Sequence, residues 1–307
     1  MTDAPVTQPR ESLRAWLRAP TASSPRQARA QAVWRGWQRL IANRAAFAGL
    51  IVLVILVTLA AIGPWLTPYS VMGQDLSVRL QPPSAQHLLG TDDLGRDILT
   101  RILYGARITL MMAALVAVIA GPIGLAVGAT AGYLGGWFDV VAMRLVDVFL
   151  SFPSLILALA FVAALGPGIE NAVIAISLSA WPPIARLARA EALTVRKSDY
   201  IAAARLQGAS PMRLILKHVM PICLPSVVVR VTLNMAGIIL TAAGLGFLGL
   251  GAQPPSPEWG AMLASGRQFM LTSWWLAAAP GAAIMLVSLS FNLLGDGLRD
   301  VLDPRND

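Results

Sequence analysis

The sequence predicts an all-α integral membrane protein with six transmembrane helices. The 307-residue chain is 56% hydrophobic and only 13% charged, whereas soluble domains carry about 25% charged residues. Its apolar residues are collected in runs close to the roughly 20 residues that a helix needs to cross a bilayer. Eight basic residues lie between positions 10 and 44, and eight more between 186 and 230. Because cytoplasmic segments are enriched in Lys and Arg, the net charge of +8 indicates a membrane topology and no nucleic-acid partner.

The first third of the chain contains one span between two polar segments. Residues 1–33 lack apolar periodicity, which predicts a disordered basic cytoplasmic tail. Residues 34–66 predict an N-terminal helix and a first span that is retained, since a secretory signal has a shorter apolar core nearer the start. Residues 67–106 predict an external loop with an amphipathic helix, whose first turn Asp92 and Asp93 are expected to cap.

Residues 107–296 predict a core of five further spans. With the basic tail inside, six spans place both termini in the cytoplasm, which makes 188–225 a cytoplasmic loop, 251–275 an external loop and 297–307 a cytoplasmic tail. The five apolar stretches lie at about 108–133, 140–165, 171–187, 226–250 and 276–295.

Small residues inside the spans predict close helix packing. Gly124, Gly128 and Gly132 recur every fourth residue, the spacing that lets two helix backbones approach in lipid. Prolines occur in "SFPSL", "AWPPIA" and "AAAPGAA", where they either kink a span or border a transport pathway.

Two polar pairs lie near the ends of spans. Arg144 and Asp147 are three residues apart, so they share a helix face and are expected to form an ion pair or to serve a pathway. Arg230 and Asn234 share another face, where they either line a polar path or reach a neighbour and the membrane surface.

Motifs for catalysis or nucleotide binding are missing from the sequence. "GLGFLG" at 244–249 matches a dinucleotide fingerprint, but it ends an apolar span and follows no strand. Lys197 and Lys217 do not follow glycine, so there is no P-loop lysine. One cysteine and two distant histidines predict no metal site. The chain is therefore expected to be non-catalytic and to hold no cofactor.

A polar elbow interrupts the apolar pattern at "RLQGASPMRLILKHVMP", residues 205–221. Ser198 or Asp199 is expected to cap a short helix, Gly208 suits a left-handed end, and Ser210 with Pro211 starts a second helix.

The second helix of the elbow is amphipathic. Arg213 and Lys217 share one face, and the helix is expected to stop at Pro221. The elbow either contacts a soluble partner or rests on lipid. The apolar stripe expected to lie on the membrane domain is Met212, Ile215, Leu216 and Val219.

The elbow resembles the cytoplasmic signature of ATP-binding-cassette importer permeases in the dipeptide, oligopeptide and nickel group: Glu-Ala-Ala, three residues, Gly, nine residues, then Ile-x-Leu-Pro. The family's Glu, Ile and Leu are replaced by Ala202, His218 and Met220. Through this resemblance the residues implied to contact an ATPase are Ala202, Ala203, Ala204, Arg205, Gly208, Ala209, Ser210, Arg213, Lys217 and Pro221.

Other stretches from about residue 34 onward resemble the second-type subunit of this family, among them "HLLGTDDLGRD", "YGARITL", "MRLVDVFLSFPSL", "FLGLGAQPPSPEWG" and "FNLLGDGLRDVLDP". The resemblance implies a type I importer permease fold in a bacterial inner membrane, with the elbow as its coupling helix. It also implies a second permease subunit, two cytoplasmic ATPases that bind ATP and Mg, and an external solute-binding protein. Relatives of this group transport dipeptides, longer peptides, glutathione, opines or nickel chelates.

Two other classes remain as alternatives. A secondary transporter would show internal repeats and charges near the membrane midplane, and neither is evident here. An intramembrane enzyme would need a nucleophile with a base or a metal, which the few histidines and the single cysteine do not suggest.

Overall fold

The computed structural model describes residues 16, 17, 19 and 22–302. Most of the predicted basic tail, and residues 303–307, lie outside the described part of the chain. Short 3₁₀ turns occur at Leu76–Val78 and Arg267–Phe269, and a π-helical turn at Ile215–Val219. The α-helices are α1 Pro25–Ala42, α2 Arg44–Leu66, α3 Ile98–Leu134, α4 Gly136–Leu150, α5 Ser154–Leu165, α6 Ile169–Arg196, α7 Asp199–Leu206, α8 Pro211–Leu214, α9 Met220–Phe247, α10 Trp259–Gly266 and α11 Trp275–Leu302.

Among the described residues, four helical segments are long and apolar enough to cross a membrane: α2, α3, the continuous run Pro211–Phe247, and α11. A fifth is obtained if α4 and α5 form one broken span. Helix α6 occupies the position of the predicted span 171–187, but Pro182, Pro183 and Arg186 make it less apolar. It packs along α3 in the most extensive helix contact of the fold, so protein rather than lipid covers much of its surface.

The predicted span 140–165 is not one continuous helix. Helices α4 and α5 meet at an angle of 94°. Pro153 disfavours helical backbone at Phe152 and itself occupies the position just before α5. The "SFPSL" sequence thus breaks the span instead of bending it slightly.

Helices α3 and α6 meet at the predicted glycine seam, which the structure confirms. A methyl group added at Gly124 would approach the Ile184 Cβ to 2.6 Å, and one added at Gly132 would lie 2.6 Å from the Arg189 carbonyl oxygen. Gly128 lies between them against Ala185. The three glycines therefore let the two backbones pack in direct contact.

The loop 67–97 folds over the start of α3 and forms what we call the cap end of the bundle. Asp97, and not Asp92 or Asp93, begins the helix: its Oδ2 accepts from the Thr100 backbone N–H at 2.8 Å. Asp92 instead accepts from the Arg96 guanidinium at 2.7 Å within the loop. The expected separate amphipathic helix is the first part of α3, because the chain continues from it into the span without a break.

Candidate functional site

With its first helix included, the elbow comprises residues 199–221, and it keeps the predicted turn at its glycine. Gly208 has φ +81°, a left-handed conformation that glycine adopts without strain. Its N–H donates to the Arg205 carbonyl at 3.0 Å, and the Ala209 N–H donates to the Ala204 carbonyl at 3.2 Å. These bonds satisfy the last carbonyls of α7 and fix the reversal.

The start of the second elbow helix is also confirmed. Ser210 is extended, with φ −67° and ψ 153°, and its Oγ accepts from the Arg213 N–H at 3.4 Å. Pro211 follows as the first residue of α8. Serine at the cap and proline in the first turn are the residues this geometry favours.

The predicted stop at Pro221 is wrong. The helical run continues from Pro211 through a π-helical turn into α9 and ends at Phe247. In the π turn, the Met220 N–H donates to the Ile215 carbonyl, five residues back. This wider turn precedes Pro221, whose ring would crowd a carbonyl of the preceding turn in a regular α-helix.

The apolar stripe of the elbow differs from the predicted one. Ile215 and Val219 are buried as expected, but Met212 is 63% exposed and Leu216 is 53% exposed. Leu214, which the 3.6-residue period excluded, is buried instead. The π turn adds a residue to the repeat, so the helix faces rotate relative to a regular α-helix. The underside packs on Ala129, Tyr133, Ala192, Ile201 and Cys223.

The outer side of the elbow presents apolar and basic groups together. Leu206 is 90% exposed, and it lies on the same segment as exposed Met212 and Leu216. Arg213 and Lys217 are exposed as well. We call these five residues the elbow surface. The expected coupling residues are arranged as follows: Ala202, Ala203, Arg205, Gly208, Ser210, Arg213, Lys217 and Pro221 are exposed, and Ala204 and Ala209 are half-buried.

Two side-chain contacts brace the elbow from within. The Arg205 guanidinium lies 6.0 Å from the centre of the Tyr133 ring, at the end of α3. Tyr200 of α7 and His218 of the π turn are joined by a 2.6 Å hydrogen bond between Oη and Nδ1. The two halves of the elbow therefore contact each other as well as the bundle, as a rigid unit would require.

The expected pair of Arg144 with Asp147 is not formed. Asp147 contacts Arg186 of α6, and Arg144 is exposed. A second link, which the sequence did not indicate, joins Asp139 of α4 to Arg189 of α6 through bonds of 2.5 and 2.6 Å. Both carboxylates thus bind the neighbouring helix, whose position the local spacing does not reveal.

A groove with several polar side chains in an otherwise apolar lining runs between α6 and α9. Two adjoining cavities that share Leu233 make up the groove; they measure about 420 Å³ near the elbow and about 190 Å³ deeper in the bundle. The cavity near the elbow is lined by Glu191, Ser226, Arg230 and, from α11, Arg299. The deeper cavity is lined by Asn234, Ser154, Ser179 and Thr241. The structure thus brings both Arg230 and Asn234 to this groove.

A buried acid at the cap end was missed by sequence reasoning. Glu258 is 1% exposed and begins α10 by accepting from the Gly260 and Ala261 N–H groups at 2.8 Å each. Burial raises the pKa of Glu258, while these two hydrogen bonds act in the opposite direction. The sequence signal was a glutamate directly before a helix start in "SPEWG".

Comparison with known families matches two separate parts of the chain. Residues 124–307 match the binding-protein-dependent transport system inner membrane component, and residues 32–83 match the N-terminal TM domain of oligopeptide transport permease C. The probable D,D-dipeptide transport system permease protein of Escherichia coli K12 is 46% identical over 83% of this chain and 86% of its own length. The di/tripeptide transport system permease protein of Pseudomonas aeruginosa is 45% identical over 88% of this chain and 91% of its own.

The fold has a solved counterpart in a chain of the MetNI methionine ABC transporter in an inward-facing conformation. The TM-score is 0.53 at 23% identity, over 65% of this chain and 95% of the other. This likeness supports the all-helical permease fold. Together with the family matches and the curated relatives, it leads to one identification. The chain belongs to the binding-protein-dependent transport system inner membrane components, as a permease subunit of an ATP-binding-cassette importer.

Proposed function

We propose that this chain forms a solute pathway with a second permease subunit and couples it, through the elbow, to a cytoplasmic ATPase. The observation that carries the proposal is the two-sided elbow. Its underside is packed into the bundle, while Leu206, Met212 and Leu216 are exposed beside two basic residues. An exposed apolar patch bordered by charges is typical of a protein interface.

The connections of the elbow suggest how motion reaches the pathway. On one side, Lys197 and Ser198 alone separate it from α6; on the other, its second helix continues into α9. Helices α6 and α9 form the two walls of the groove. A displacement of the elbow by the ATPase would therefore act on both walls. Nucleotide binding would shift the pathway between outward and inward access if it stabilised these two states unequally.

The same proposal assigns partners and orientation. The elbow and both termini face the cytoplasm of a bacterial cell, and the cap end faces an external solute-binding protein. Two ATPase subunits on separate chains bind ATP and Mg, and this chain binds neither. The exposed Ala202 stands where the family's glutamate is expected, so the apolar and basic groups of the elbow surface supply the contact.

For the solute, we propose a dipeptide or a short oligopeptide. The relatives quoted above are named for D,D-dipeptide and di/tripeptide transport. The groove contains both positively and negatively charged side chains. Nickel chelates, glutathione and opines are the alternatives within the group. A secondary transporter is the alternative class, and it would move solute without an ATPase.

The coupling proposal is tested with Met212→Asp and Leu216→Asp in the complete importer, reconstituted in liposomes. A carboxylate in the centre of an apolar contact should reduce ATP hydrolysis stimulated by loaded binding protein, and solute uptake, by about tenfold or more. Val33→Asp is the matched control, because Val33 is an apolar residue that is 74% exposed on α1, outside both the elbow and the cap end. Wild-type stimulation and uptake in both elbow variants would disprove the contact.

A further inference from the structure

The elbow end of the groove holds an unusual set of charges. Glu191 of α6, Arg230 of α9 and Arg299 of α11 line one cavity of about 420 Å³. We call these three residues the charged cluster. They come from three different helices, so the fold, and not a local sequence run, assembles them. The volume lies within the roughly 300–1,000 Å³ of small-molecule sites.

One residue of the cluster has a buried hydrogen-bond donor that lacks an acceptor. The Nε of Arg230 is buried and has no hydrogen-bonding partner among the residues that the structure describes. A buried donor without an acceptor is costly. The Arg230 side chain also lines the cavity, and guanidinium groups bind carboxylates with paired, charge-assisted bonds.

The balance of charge in the cavity indicates what such a molecule would carry. Two guanidinium groups suit a carboxylate, and the single carboxylate of Glu191 suits a protonated amine. Ser226 adds a neutral hydroxyl, and Asn234 lies four residues beyond Arg230 along the groove. A free short peptide carries one amine and one carboxylate at its two ends.

We propose that the charged cluster is a binding subsite for the free termini of a short peptide, at the end of the groove next to the elbow. Arg230 and Arg299 bind the terminal carboxylate, and Glu191 binds the terminal amine. This subsite rests on the proposed function as a peptide permease, and it gives the permease a selectivity of its own, separate from that of the external binding protein.

The test uses the purified complete permease–ATPase complex without nucleotide and without binding protein. Equilibrium binding of radiolabelled alanyl-alanine is measured, with N-acetyl-alanyl-alanine and alanyl-alanine amide as competitors. Loss of either charged terminus should weaken binding by about tenfold or more. Arg230→Gln should weaken binding of the free dipeptide by a similar factor, and it should remove the preference of the complex for the free dipeptide over its amide. Glu191→Gln should instead remove the preference over the acetylated peptide.

Two further variants and one parallel measurement keep the result interpretable. Arg230→Lys retains the charge and should recover part of the binding. Arg144→Gln removes an exposed arginine outside the groove and should change nothing. The subsite is overturned if wild-type complex binds no dipeptide, or if the cluster variants bind and discriminate as wild type does. ATP hydrolysis stimulated by loaded binding protein is recorded in parallel, because its absence in the wild type would contradict the proposed coupling instead.

Discussion

Gly208 shows how one residue sets the shape of the elbow. Its φ of +81° falls where side chains are strained, yet an added Cβ would meet no atom within 4 Å. Replacement therefore tests the backbone alone, without a steric clash. This separation makes Gly208 the sharpest single-residue probe of whether the shape of the elbow matters.

We expect Gly208→Ala to destabilise the elbow by about 1 to 2 kcal/mol, the cost of a left-handed L-residue. ATP hydrolysis in the reconstituted importer should become less dependent on loaded binding protein, and uptake should fall. Gly208→Asp should have a larger effect, since its charge also alters the basic surface. Gly136→Ala is the control, because Gly136 has φ +61° and open space at the junction of α3 and α4, outside both the elbow and the cap end. Equal loss of coupling in the control would assign the effect to general strain.

At the scale of elements, the contact between α3 and α6 joins the two ends of the molecule. Helix α3 has 37 residues, or about 55 Å at 1.5 Å per residue, and it runs from the cap end to Tyr133 beneath the elbow. Its glycines bring α6 into backbone contact on the way. The helix that leads into the elbow is thereby held along a helix that connects both ends of the bundle.

Gly128→Ala should loosen this contact. Its added methyl group would overlap the Ala185 carbonyl oxygen and lie 2.8 Å from the Ala188 Cβ. Overpacking of this kind costs about 1 to 3 kcal/mol, and the thermal unfolding midpoint of the purified complex should fall. Gly281→Ala is the matched control, since its nearest neighbour is a leucine methyl group at 3.9 Å. An unchanged midpoint in Gly128→Ala would mean that the helices separate there without cost.

Local signals predicted the parts of the structure that local geometry determines. Gly208, Ser210 and Pro211 define a turn through their own backbone preferences, and the glycine spacing of α3 defines a helix face. The exposure of Met212 and Leu216 was not predictable, because a π turn changes the repeat that the 3.6-residue period assumes.

Features that depend on neighbouring helices could not be predicted from local sequence patterns either. Asp147 has a potential partner three residues away in Arg144, yet it contacts Arg186 on another helix. Likewise, the sequence identified Arg230 and Asn234 as polar positions but left two uses open for them. The packing of α6 against α9 brings them to one groove, which the spacing of either helix alone does not reveal.

For the whole molecule, the sidedness of the membrane is the property on which the proposed coupling depends, and the chain is suited to measuring it. Its only cysteine, Cys223, is buried, so the background in thiol labelling should be low. Trp137, beside the elbow end of α3, is 78% exposed, and Leu271, at the cap end, is fully exposed. Each can be replaced by cysteine without disturbing a packed core.

With a membrane-impermeant maleimide, Leu271→Cys should be labelled in intact spheroplasts and Trp137→Cys only in inverted vesicles. The physical reason is the distribution of charge: the bases near the elbow and in the first 44 residues hold that side in the cytoplasm. For each variant, labelling in spheroplasts is compared with labelling in inverted vesicles. The wild-type protein serves as the control for any labelling of Cys223. The reverse pattern would place the elbow outside the cell, away from any ATP-driven partner, and would rule out the coupling that we propose.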